Sequence, residues 1–181
     1  MKSILIPAVI TLSLISLGAR ANPMVGGAPM SADKNIVQNA SKSDDHTTLV
    51  AAVKAAGLVE TLEGNGPFTV FAPTNEAFAA LPPGTVDNLL KPENKDQLVK
   101  ILTYHVVPGR LTGKELMQQI KDGGGQATLK TVQGENLTIM MNSGMDGLVL
   151  KDAQGNTATV TIKNVMQSNG VIHVVDHVLM P

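Results

Sequence analysis

The chain contains no cysteine and no tryptophan, and its 181 residues hold only three phenylalanines and one tyrosine. The first absence excludes a disulfide framework, a thiol nucleophile and a thioether-linked lipid, so burial and hydrogen bonding must hold the fold. The scarcity of rings confines core-nucleating surface to a few places. No Lys/Arg run occurs, and with the first 21 residues set aside, twelve basic residues stand against fifteen acidic ones. That balance excludes nucleic acid as a partner, because phosphate binding needs a clustered basic face. A membrane-length apolar stretch is missing too. The run from Ile4 to Leu17 has fourteen residues and is interrupted by Thr11, Ser13 and Ser16, against roughly 20 apolar residues for a spanning helix.

Lys2, that short apolar run and Gly18-Ala19-Arg20-Ala21 follow the order of a secretory signal peptide, read here as residues 1–21 with cleavage after Ala21. A secreted or periplasmic address is expected. The chain beyond Ala21 is long enough to bury roughly 70% of its unfolded surface as one domain. Residues 22–44 are rich in Gly, Pro, Asn, Ser, Ala and Lys without a sustained apolar period, and are expected to form a flexible leader before a domain at 45–181. Met24 and Met30 of this leader, with His46, are too few and too scattered to define a soft copper site.

All three phenylalanines lie in Gly66-Pro67-Phe68-Thr69-Val70-Phe71-Ala72-Pro73-Thr74-Asn75-Glu76-Ala77-Phe78. Phe68–Phe71 has the β-branched and aromatic bias of a strand, Pro73 keeps Ala72 out of the helical region, and Thr74 is an N-cap for a helix from Asn75. Upstream, Leu49, Val50, Val53 and Ala56 make a helical stripe that Gly57 ends, and Leu58, Val59 and Leu62 mark a second short helix. Downstream, Leu98, Ile101 and Leu102 share a helix face running out near Tyr104, and Tyr104–Val107 reads as extended. Thr112 with Glu115 forms a capping box, and Leu111 with Leu116 a hydrophobic staple, for a helix to about Ile120.

Beyond Gly123-Gly124-Gly125 the chain becomes β-prone, at 127–131, 136–141, 147–150, 157–164 and 171–179, with Gly-containing turns between. Helices first and antiparallel strands afterwards indicate a single α+β domain. Both faces of Val171–Leu179 are apolar, which places that strand centrally.

The Pro-Phe-Thr-Val-Phe-Ala-Pro-Thr-Asn-x-Ala-Phe run resembles the first signature of the fasciclin (FAS1) domain. Tyr104-His105-Val106-Val107 resembles the family's Tyr-His motif, and Asn169-Gly170-Val171-Ile172-His173-Val174-Val175-Asp176 its second signature. The three stretches stand in the family's order over roughly the last three quarters of the chain. The resemblance implies a β-wedge of two antiparallel-rich sheets with several short helices packed at one side. It also implies structural roles for Phe68, Phe71, Pro73, Thr74, Asn75, Phe78, His105, Asn169, Gly170, His173 and Asp176. Asn164 stands where fasciclin sequences commonly show aspartate.

Two readings of Tyr104-His105 stand. By position, Tyr104, His105, Val106 and Val107 match the segment implicated in integrin-dependent adhesion in animal fasciclin proteins. On a strand, though, Tyr104 and His105 point to opposite faces, so only one is expected to be deeply buried, and His105 then fits a core role bonding the backbone of the 68–78 region.

His173-Val174-Val175-Asp176-His177 has the spacing of an inverted zinc-protease motif. That motif requires a helix. On a β-branched strand the two histidines lie ~13 Å apart at ~3.3 Å per residue, too far to share an ion. No Gly-x-Ser-x-Gly elbow is present, and Gly123-Gly124-Gly125 lacks the Lys-Ser/Thr of a phosphate loop. Met140, Met141, Met145 and Met166 read as core filler. Asn39-Ala40-Ser41 and Asn136-Leu137-Thr138 fit the N-glycosylation pattern.

The expectation is a non-enzymatic secreted interaction module without cofactor. It would be a monomer acting in cell adhesion or in binding a protein or surface polysaccharide. The competing class is a small periplasmic metal-binding protein or enzyme built on the histidines and methionines.

Overall fold

The computed structural model describes residues 21–144 and 147–181. The signal-peptide segment therefore lies, but for Ala21, outside the described residues, as does Met145.

The segment expected to be a flexible leader is ordered and packed. Strands β1 (Met24–Val25) and β2 (Ala28–Pro29) form a small hairpin, and α1 (Ile36–Ala40) comes next. Asn35 and Gln38 close a capping box on α1, which satisfies two backbone donors at its start. Val25, Met30, Ile36 and Val37 are buried in a hydrophobic cluster. The amide of Asn39, wholly buried, donates to the Gln167 side chain and to the Ser31 carbonyl. Apolar residues too irregularly spaced to show a period are gathered here by a turn, a cap and a buried amide pair.

After a 3-10 turn at Asp44–His46 come α2 (Thr47–Ala56), ended by Gly57 in the left-handed conformation, and α3 (Val59–Glu63). Strand β3 (Phe68–Pro73) leads into α4 (Asn75–Ala79), where the Thr74 hydroxyl accepts from the Ala77 N–H as an N-cap should. Helix α5 (Thr85–Leu89), a 3-10 turn at Pro92–Asn94 and α6 (Lys95–Tyr104) precede β4 (Val106–Pro108). In α7 (Gly113–Asp122) both bonds of the Thr112–Glu115 capping box are present. The remainder is β5 (Gln126–Lys130), β6 (Asn136–Met141), β7 (Leu148–Lys151), β8 (Thr157–Gln167) and β9 (Gly170–Val175).

Seven strands run in the order β4-β3-β9-β8-β7-β6-β5, antiparallel except for the β3–β9 pair. The two sheets are one continuous strand order. Long β8 serves both, pairing with β7 through Thr157–Thr159 and with β9 from Val160 to Gln167 across two register shifts. Bulges of this kind bend a strand and increase its twist. The Val132 N–H donates to the Val106 carbonyl, so the chain just past β5 meets β4 and the run of strands nearly closes on itself.

Alternation along β3 and β9 divides the interior. Val70 and Ala72 of β3, with Ile172 and Val174 of β9, face a cluster shared with α1, α2, α4 and α6. Phe71 and Val175 face a second cluster with Tyr104, α7 and the inner side of β5–β8. Successive strand residues point to opposite faces, so the few rings are split: Phe78, with half-buried Phe68 at its margin, serves the first cluster and Phe71 the second.

Two further sequence expectations need correction. Tyr104-His105 is not a strand, because Tyr104 ends α6 and His105 is its C-cap in the right-handed helical region. The last strand stops at Val175, four residues short of Leu179. Its partner β3 gives way there to α4, whose N-cap Thr74 still donates its N–H to the Val175 carbonyl.

Candidate functional site

The three motif stretches are far apart in sequence and adjacent in space. Phe68–Pro73 lies between Val106–Pro108, antiparallel on one side, and Gly170–Val175, parallel on the other. Phe68 faces Gly170 and Phe71 faces His173 across the parallel pair. Gly170 must lack a side chain, since a Cβ there would collide with the Phe68 carbonyl.

Each histidine in this block is occupied by backbone. His173 is fully buried and stacks on Phe71 with ring centroids 5.6 Å apart. Its Nε2–H donates to the Leu111 carbonyl at 2.8 Å, and its Nδ1 accepts from the Asn164 N–H at 3.3 Å. His105 Nδ1–H donates to the Ile101 carbonyl at 2.8 Å, and Nε2 accepts from the Leu179 N–H at 3.0 Å. Each ring thus uses one donor and one acceptor, the full capacity of a neutral imidazole. Burial lowers the pKa of both, that of His105 to about 4, with the Ile101 carbonyl opposing the shift.

Tyr104 and His105 are both buried, contrary to the strand-based expectation that only one would be, and so are Val106 and Val107. The helix end rotates the tyrosine and histidine into separate interior sites. The Tyr104 hydroxyl donates to the Asn136 carbonyl at 3.0 Å and accepts from the Ala153 N–H at 3.1 Å. Burial raises its pKa, with the Ala153 bond opposing and the Asp152 and Glu135 charges adding to the rise. All four side chains of the candidate interaction segment are thus buried. The His105 carbonyl accepts from the Phe71 N–H, so the link to the 68–78 region runs through backbone and not through the ring.

The polar motif residues join elements. The Asn75 side chain accepts from the Thr48 N–H and Thr47 hydroxyl and donates to the Asp44 carbonyl, fixing α4 to the start of α2. Asn169 donates to the Leu62 and Gly64 carbonyls and accepts from the Ile36 N–H. Asp176, expected in an apolar face, is partly exposed and accepts from the Thr159 N–H at 2.7 Å. His177 lies 2.8 Å from the same carboxylate, past the end of β9 and exposed. Among the described residues no group of three or more His, Cys, Asp or Glu is placed to hold a metal.

Three further residues have structural roles that the sequence reading did not assign. Buried Asp152 accepts from the Gln154, Asn156 and Met180 N–H groups and the Asn156 amide, closing the β7–β8 turn over the C-terminal segment. Asp-Ala-Gln-Gly is an Asx-turn signature, so the turn half of that role was there to be found. Asn164 has φ of 62° and its Oδ1 accepts from the Gly113 N–H at the start of α7. His46 is buried against Ser43, with Nδ1 2.8 Å from the hydroxyl and Nε2 making no hydrogen bond. Burial lowers its pKa, only partly offset by the nearby Ala72 backbone and the Asp45 charge. Of the two glycosylation patterns, Asn39 is wholly buried and Asn136 is exposed on β6.

The architecture and the sequence point the same way when compared with known proteins. A solved FAS1 domain pair from the insect cell adhesion molecule fasciclin I superposes with a TM-score of 0.73 at 19% identity, over 82% of this chain and 51% of that one. Protein sll1483 of Synechocystis is 50% identical over 158 residues, 87% of this chain and 79% of that protein. The transforming growth factor-beta-induced protein ig-h3 of Sus scrofa is 40% identical over 147 residues, 80% of this chain but 19% of that much longer protein. The immunogenic protein MPB70 of Mycobacterium bovis is 36% identical over 152 residues, 78% of this chain and 66% of that protein. The model of the fasciclin domain matches residues 44–181, a span that holds all three motif strands and both saturated histidines, and the chain belongs to the fasciclin domain family.

Proposed function

We propose that this protein is a non-enzymatic, secreted interaction module that acts in cell adhesion or in binding a protein or polysaccharide at an extracellular or periplasmic surface. The observation that carries this reading is the saturation of the motif residues. His105, His173 and Tyr104, three of the groups suited to acid–base or metal chemistry, are buried with their polar atoms bonded to backbone. A general acid or base must reach its substrate's proton within hydrogen-bond distance, and these groups are fully engaged inside the fold. Kinship supports the same view, since fasciclin I is described as a cell adhesion molecule. No helix among the described residues is long and apolar enough to cross a membrane, which fits a secreted product. Tyr104–Val107 enters this reading as the frame beneath the surface, and the surface contacts come from the residues around it. The protein acts as a monomer and needs no cofactor.

The test is binding of the purified chain, displayed on beads, to intact cells and to cells stripped with protease or with glycosidases. Saturable binding lost after one of the two treatments is expected and names the partner class. Stoichiometric zinc or copper in the purified protein, together with substrate turnover lost in His177→Ala, would overturn the proposal.

A further inference from the structure

Helices α1, α2 and α3 do not close completely over β3, β4 and the end of α6. Between them lies a cavity of about 50 Å³. Val70 of β3, Val106 of β4, Ile36 of α1 and Val53 of α2 line it, as does Phe68, which is only half-buried. Exposed Thr61 and Val132 also line it, so it opens to solvent there. By the measure in which one water occupies about 10–15 Å³, the space takes roughly four non-hydrogen atoms.

The chemistry of the lining selects the occupant. Inside the rim the polar side chains are Thr103 and His105. The Thr103 hydroxyl donates to the Val99 carbonyl, with Lys100's also in range, and both His105 nitrogens are engaged. Ordered water needs two to four polar partners, and inside the rim the side chains offer no free donor and only the lone pairs of the Thr103 hydroxyl. A peptide segment would bury backbone N–H and C=O groups without partners, which is strongly unfavourable. An alkyl chain has no such groups to satisfy. Val132 is one of two large hydrophobic side chains exposed among the described residues, and it continues the apolar lining outward at the mouth.

We propose that the cavity between α1–α3 and β3–β4 binds the hydrocarbon end of an amphiphile, with about four carbons inserted and the polar group left outside, beside Thr61 and Val132. One wall, α1, precedes the stretch matched by the fasciclin model, so the site depends on a segment outside that match. This site is independent of the adhesion reading, and either can fail alone.

The test uses the full chain with labelled Ile, Leu and Val methyls, titrated with linear 1-alkanols from ethanol to octanol and followed by NMR. Methyl shifts are expected at Ile36, Val53, Val70 and Val106, with affinity rising about fourfold per added methylene until the cavity is filled and then levelling. Ala40→Leu, which fills the cavity from α1, should weaken octanol binding at least tenfold while the melting temperature holds or rises; Val50→Phe, filling it from α2, serves if that variant does not fold. Shifts scattered over the surface, affinity independent of chain length, or full binding in the filled variants would overturn the proposal. So would the same methyl shifts appearing with protein concentration alone, which would assign the cavity to a second copy.

Discussion

Phe71 and His173 face each other across the parallel β3–β9 pair, their ring planes inclined by 25°. The phenylalanine is fully buried, and the histidine is held by a bond at each nitrogen, so the stack joins the second core cluster to the Leu111 and Asn164 backbone. Phe71→Ala should cost about 3–5 kcal/mol, the range for emptying a large buried ring site. Urea unfolding measures it, and a cost under about 1 kcal/mol would show that the ring contributes little to the core.

Removing residues 22–43 should sharply lower the melting temperature. That segment supplies buried Val25, Met30, Ile36 and Val37 and the Asn39 amide bonded to Gln167. Each buried aliphatic side chain contributes about 1.5–3 kcal/mol, and the four together rival the roughly 5–15 kcal/mol margin of a whole domain. A thermal scan of the truncated chain with a midpoint within about 3 °C of the parent would mean that the segment packs without stabilising.

Why the domain was readable and this segment was not comes down to the kind of signal each carries. Helices such as α2 and α7 announce themselves by stripe, cap and glycine stop, and β3 to α4 by Pro73 and Thr74, all local features. The leader's order rests on pairs such as Asn39 with Gln167 and Asn169 with Ile36, 128 and 133 residues apart, which no local pattern reveals. Its one local clue, the Asn35–Gln38 capping box before Ile36 and Val37, lies in a stretch whose composition points to a tail. Tyr104-His105 is misplaced by the sequence for a related reason. Val106 and Val107 are strand residues, but α6 runs on to Tyr104, and His105 stays with the helix end, its ring bonded to the Ile101 carbonyl and to the Leu179 N–H from the far end of the chain.

Asn164 is the one non-glycine residue with positive φ among those described, and it carries a backbone bond to His173 as well as a side-chain bond to Gly113 at 2.6 Å. Alanine there keeps the left-handed backbone, worth about 1–2 kcal/mol of strain, and leaves the Gly113 N–H without its acceptor. Asn164→Ala should therefore destabilise by about 2–3 kcal/mol. Asn164→Asp retains an oxygen for Gly113 and should stay within about 1 kcal/mol of the parent. Equal stability of the two variants in urea would show that the acceptor is irrelevant.

Acid should weaken the fold before any carboxylate is considered, through His46, His105 and His173. All three are held neutral by burial, with pKa values below the ordinary 6.5 and that of His105 at about 4. Above pH 6.5 the rings are neutral in both folded and unfolded chains and favour neither. As pH falls below 6.5 the unfolded chain takes up protons that the folded chain refuses, so stability declines until each folded pKa is passed. His105 alone accounts for about 3 kcal/mol of loss between pH 6.5 and 4, at 1.36 kcal/mol per unit. Protonation also turns its Nε2 from an acceptor for the Leu179 N–H into a second donor, so the C-terminal segment over His105 should loosen first. Urea unfolding at pH 7.5, 6 and 5 should give a steady fall, with the Leu179 amide losing exchange protection ahead of β3 and β9. A stability flat across that range would mean that the three rings protonate as readily inside the fold as outside it.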